Sequence, residues 1–100
     1  MGKAQEDTEV VVVEHTTEPH MYKIVLLNDD YTTMDFVVMI LETIFAKSQA
    51  EATRIMLEVH NNGRGVCGIY PLQIAEAKQA LVHSKAETEG FPLKCILEKV

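Results

Sequence analysis

Tyr22-Lys23-Ile24-Val25-Leu26-Leu27 is the first orderly apolar run of the chain, and its apolar residues are consecutive rather than alternating. A strand of that composition is buried on both faces, so a first strand from about Tyr22 to Leu27 is predicted at the centre of its sheet. A polar stretch follows, and then Met34, Val37, Val38, Leu41, Ile44 and Phe45 recur at helical spacing. Thr32 with Asp35 three residues later has the form of a capping box, which predicts a first helix from about Thr33 to Ala46. Ser48 with Glu51 repeats the pattern and starts a second helix. It ends near Asn61 and Asn62, with Gly63 placed to take a left-handed cap. Gly65 to Tyr70, rich in Val, Ile, Cys and Tyr, reads as a second strand. Pro71 suits the first position of a third helix that runs to about Glu87 or Thr88, with Ile74, Ala77, Lys78 and Leu81 on the helical period. Gly90 and Pro92 stop it before a final strand from Leu93 to Lys99. The order β-α-α-β-α-β predicts an α+β fold: a small three-stranded antiparallel sheet packed against three helices.

Residues 1 to 20 break this pattern. Glu6, Asp7, Glu9, Glu14 and Glu18 stand against Lys3, and Pro19 closes the segment. That composition predicts a solvated, flexible acidic extension ahead of a core domain at residues 21–100. Val10-Val11-Val12-Val13 is its one apolar feature, a strand-prone run that either extends transiently or docks on a partner. The chain holds no internal repeat and no low-complexity tract.

A chain of 100 residues supports a single modest core, so function must fit on one small surface. A formal charge of -6 argues against nucleic-acid binding, which needs clustered Lys and Arg, and favours cationic ligands. Cys67 and Cys95 stand apart in apolar surroundings with no CxxC spacing, so both are expected as buried, reduced thiols. No apolar stretch approaches the ~20 residues of a membrane span, and no signal-peptide core follows Met1. A cytoplasmic location is expected. Myristoylation at Gly2 is set aside, because Glu6 stands where that signal needs Ser or Thr.

The first strand ends on Asn28-Asp29-Asp30, so two adjacent carboxylates occupy the loop between a strand and a helix. Alone, this is the composition of a plain turn, in which Asn and Asp side chains bond nearby backbone N–H groups. Other residues change the reading. Ala52, Met56, Val59 and His60 share one face of the second helix, and an ionisable His60 ending an apolar stripe must be hydrogen-bonded or reach solvent at a rim. Packing of the two helices brings Met34, Val37, Met56 and Val59 around one apolar pit beside Asn28, Asp29, Asp30 and His60. An amide carbonyl, carboxylates and an imidazole nitrogen together accept the three N–H donors of an ammonium group. The pit takes the apolar side chain attached to it, as in capture of a peptide's N-terminal amine. Read as a metal-dependent enzyme, Asp29, Asp30 and His60 would be ligands or an acid/base set. No second His or carboxylate at ligand spacing and no Gly-rich phosphate loop supports that, and neither a catalytic residue, a metal nor a cofactor is assigned.

These residues carry a family resemblance. Asn28-Asp29-Asp30-Tyr31-Thr32-Thr33-Met34-Asp35-Phe36-Val37 closely resembles the strand-loop-helix motif of the ClpS adaptors. The similarity extends through Ala52 to His60, Gly65 to Tyr70 and Pro92 to Lys99, essentially all of Tyr22 to Lys99. The resemblance implies a non-catalytic N-end rule adaptor, a monomer, that holds proteins with an N-terminal Leu, Phe, Tyr or Trp. It delivers them to the AAA+ unfoldase ClpA for degradation by ClpP. By position, Asn28, Asp29 and His60 contact the ligand's α-amino group, with Asp30 in the same acidic site. Met34, Val37, Met56, Val59 and Leu93 line the side-chain pocket, Thr32 sits at its rim, and the Met34 position disfavours β-branched first residues. Glu76 and Lys78 match positions implicated in docking on the ClpA N-terminal domain, and the extension takes part in delivery. Thr33 is a departure, since many members have Pro there, and a freer loop would alter side-chain preference. The small β-α-α-β-α-β fold also resembles the C-terminal domain of a ribosomal stalk protein, an interaction module without the Asn-Asp-Asp and His60 combination.

Overall fold

The computed structural model describes residues 20–100. The predicted extension and its Val10–Val13 run thus fall outside the described residues, save for His20. The element order is β1 (Met21–Leu27), α1 (Met34–Thr43), α2 (Gln49–Asn62), β2 (Arg64–Pro71), α3 (Leu72–Glu89) and β3 (Lys94–Lys99). The strands form one antiparallel sheet in the order β2-β1-β3, an α+β fold of three strands and three helices as the sequence leads one to expect. β1 is the central strand, and Ile24, Val25 and Leu26 are fully buried at its middle. A bulge at Cys67 breaks the β1–β2 register, with Ile24 opposite Gly68 and Val25 opposite Val66.

The helices differ from the prediction in ways that trace to single side chains. Thr33, not Thr32, caps α1: its Oγ1 accepts from the Phe36 N–H at 3.1 Å. Thr32 is instead held in the preceding loop, where its N–H and its hydroxyl both donate to Asp29. α1 also stops earlier, at Thr43, and Ala46 takes a positive φ of 55° without the glycine that usually announces such a break. Ser48 caps α2 as predicted, and Gly63 ends it at φ 88° with its N–H donating to Val59 O.

The buried stripe of α3 is Ala75, Val82 and Ala86, whereas Ile74 and Leu81 of the predicted stripe are about half exposed. The small alanines let α3 lie close on the sheet. Two α3 side chains then seal the outer edge of β3, with Gln79 Nε2 donating to Cys95 O at 2.9 Å and the Cys95 N–H donating to His83 Nε2 at 3.1 Å. Beneath them Phe36, Val37, Ile40, Leu41, Ile55, Val59 and Leu93 form one core with Ile24 and Leu26. Burial pushes the Cys67 thiol up to about 12, helped by nearby Cys95, and the Cys95 thiol up to about 11, so both stay protonated and unbridged.

Candidate functional site

The end of β1 is tied to the end of α2 by one bond, in which the Asn28 N–H donates to Gly63 O at 2.9 Å. Gly63 itself holds the last turn of α2 through Val59 O, so Asn28 and His60 are brought to the same rim by backbone rather than by chance side-chain packing. Gly65, two residues on, lets β2 pass against α2: a Cβ there would meet Val59 Cγ2 at 2.8 Å. Neither glycine's role was read from the sequence beyond the cap at Gly63, although Gly63-Arg64-Gly65 marks the spot.

The result is a hollow of about 240 Å³ lined by Asn28, Asp29, Asp30, Thr32, Met34, Val37, Met56, Val59 and His60. Every residue expected at the ligand site lines it except Leu93. That side chain is 2% exposed and sits in the core with Val37 and Val59. Val37 and Val59 are buried at the base of the hollow, Met56 is partly buried, and Met34 is 45% exposed at its mouth. The polar groups lie around this apolar floor, with Asn28, Asp30 and His60 exposed.

Asp29 organises the loop that carries the rim. Its Oδ1 accepts the N–H groups of Tyr31 at 2.8 Å and Thr32 at 2.7 Å, and its Oδ2 accepts the Thr32 hydroxyl at 2.7 Å. Partial burial pushes the carboxyl up, but the Thr32 N–H, the Thr32 hydroxyl and the Tyr31 N–H together outweigh it and hold Asp29 below its ordinary value. Asp29 is therefore charged at neutral pH. An unpartnered ammonium would find here carboxylate, amide and imidazole acceptors above an apolar floor.

Among the described residues no three His, Cys, Asp or Glu side chains group as a metal site. Further hollows lie among the described residues, two of them of comparable size. The larger, about 380 Å³, is lined by His20, Tyr22, Pro71, Leu72 and Gln73 and carries no carboxylate. On α3, Glu76 is exposed, whereas Lys78 is engaged within the chain. Its Nζ donates to Ile44 O at 2.8 Å and lies 5.2 Å from the Tyr70 ring centre and 5.8 Å from that of Phe45.

Residues 17–96 match the family model described as the ATP-dependent Clp protease adaptor protein ClpS. An ATP-dependent Clp protease adapter protein ClpS of Nitratidesulfovibrio vulgaris (strain DSM 19637 / Miyazaki F) is 53% identical over 94 residues, covering 94% of each chain. One from Wolinella succinogenes is 55% identical, covering 93% of this chain and 91% of the relative. Among solved structures, Agrobacterium tumefaciens ClpS2 bound to L-phenylalaninamide superposes with a TM-score of 0.80 at 35% identity, covering 83% of this chain and all of that one. The Nitratidesulfovibrio and Wolinella relatives are named as adapter proteins rather than enzymes. The chain belongs to the ClpS family of adaptor proteins of the ATP-dependent Clp protease.

Proposed function

We propose that this adaptor binds the free N-terminal amine and the large hydrophobic first residue, Leu, Phe, Tyr or Trp, of N-degron proteins. It then delivers them, as a monomer, to the N-terminal domain of the ClpA unfoldase for degradation by ClpP. The observation that carries this is the single hollow in which Asn28, Asp29, Asp30 and His60 surround an apolar floor of Val37, Met56 and Val59. Its volume, about 240 Å³, is just below the roughly 300–1,000 Å³ of pockets for drug-sized ligands, as suits one side chain with its amine. The binding of L-phenylalaninamide, a free amine beside a benzyl group, by the related ClpS2 supports the same reading. Asp29 and Asp30 then recognise charge, and the net charge of -6 favours a cationic ligand.

Met34 stands at the mouth, where it would crowd a first residue branched at Cβ. Leu93, buried in the same core as Val37 and Val59, would act by supporting that packing and not by touching the ligand. For ClpA, Glu76 offers an exposed carboxylate on α3, and Lys78 would contribute by holding α3 in place. Residues 1–20 would take part in delivery.

The test is degradation by reconstituted ClpA and ClpP of two reporters that differ only in an N-terminal Leu or Val. Addition of this adaptor is expected to speed loss of the Leu reporter alone. Equal acceleration of both, or of neither, would contradict the reading.

A further inference from the structure

Asp29 has little acceptor capacity left. An ionised carboxylate offers about four lone-pair sites. Two backbone N–H groups fill Oδ1, and the Thr32 hydroxyl takes one site on Oδ2. The backbone bonds anchor Oδ1 but leave the carboxylate plane free to turn about that anchor. The Thr32 hydroxyl removes that freedom. Its hydrogen is spent on Asp29, so toward any ligand the hydroxyl can only accept, which suits an ammonium, a group made only of donors. Both side chains line the same hollow.

We propose that Thr32 is a positioning residue for amine capture. Its hydroxyl fixes the plane of the Asp29 carboxylate and leaves one lone pair of Oδ2 as the acceptor for the ligand's ammonium. This rests on the amine-capture reading above and assigns Thr32 a task distinct from lining the rim. Preorganisation of this kind lowers the ordering cost of binding, so its loss appears in affinity more than in stability. The hydroxyl also favours the charged form of Asp29, which links it to the acid limit of binding.

The experiment titrates a Phe-initiated peptide with a free amine, and its acetylated twin, against the wild-type chain and Thr32→Val, Thr32→Ala and Thr32→Ser. It is run from about pH 7 down to about pH 4, with thermal melting of each variant. Asp30 on the same loop and His60 on α2 also line the hollow and are the same in every variant. The readout is therefore the difference between Thr32→Val and Thr32→Ser. Thr32→Val is expected to weaken binding about tenfold at neutral pH and to move its acid limit to higher pH, with Thr32→Ser restoring both. Thr32→Ala should follow Thr32→Val, and it carries the test if valine disturbs folding. The proposal alone is overturned if wild-type binding needs the free amine yet Thr32→Val matches it, if valine and serine weaken binding equally, or if the acid limit does not move. Equal wild-type affinity for the acetylated twin would overturn the amine-capture reading and this proposal with it.

Discussion

Replacing Gly65 by Ala tests how closely the sheet and α2 shape the hollow. Gly65 pairs with Leu26 on the central strand, and its added methyl would fall 2.8 Å from Val59 Cγ2, 3.3 Å from Ile55 O and 3.4 Å from Ile55 Cγ2. Carbon atoms rest at roughly 3.5–4.0 Å, so Val59 must give way by about 0.7–1.2 Å. Val59 is 3% exposed and lines the hollow, so it either turns into that space or carries α2 away from the sheet. Overpacking of this kind costs about 1–3 kcal/mol. In a domain of this size each kcal/mol lowers the melting temperature by roughly 4–8 °C. The variant should therefore melt at least about 4 °C lower by circular dichroism. Narrowing of the hollow should cost a Trp-initiated peptide more affinity than a Leu-initiated one. A Gly65→Ala chain that melts with the wild type and keeps its peptide order would refute the close contact between β2 and the pocket wall.

Lys78→Met keeps the aliphatic stem but loses the bond to Ile44 O and the contacts with the Tyr70 and Phe45 rings. It should lower stability by about 1–3 kcal/mol in urea denaturation, and an unchanged midpoint would contradict the clamp. Thr33 has φ -74°, which proline can adopt. Thr33→Pro exchanges a cap bond of about 1 kcal/mol for about 0.4–1 kcal/mol of unfolded-state entropy, so melting should show near-neutral stability, and a loss above about 2 kcal/mol would contradict this. Asp29 in the folded chain lies below its ordinary value of 3.8, so its stabilising contribution is complete above that pH and is lost as pH falls through the folded value. The stability gap between wild type and Asp29→Asn, followed by denaturant titration, should be constant near neutrality and close in acid; a gap unchanged by acid would argue against it.

Much of this was legible in the sequence. Six consecutive residues from Tyr22, five of them apolar or aromatic, placed β1 at the centre, and helical spacing with two terminal signals gave α1 and α2. The lining residues could be assembled because the site is built from segments whose spacing is regular: a loop after a strand and two helix faces. What escaped depended on contacts remote in sequence or on competition within a loop. Thr32 and Thr33 look alike as caps in the sequence, and the bonds from the Thr32 N–H and hydroxyl to Asp29 place Thr32 in the loop, one residue before the cap. The apolar period of α3 admitted two stripes, and close packing on the sheet selected the one with alanines over Ile74 and Leu81. Lys78 reads as a surface charge because its partner Ile44 lies 34 residues away. Leu93 belongs to the core for a similar reason, since the cluster it joins gathers residues such as Val37 and Val59 from separate helices.

The measurement that bears most directly on the central claim is calorimetric titration of the chain with one Phe-initiated peptide, free at its amine or acetylated there. Acetylation removes the positive charge and two of three donors while leaving the benzyl group intact. If Asn28, Asp29, Asp30 and His60 hold the ammonium as proposed, losing those charge-assisted bonds should weaken binding by about a hundredfold or more. Affinities within about twofold of each other would contradict amine capture and leave only an apolar hollow.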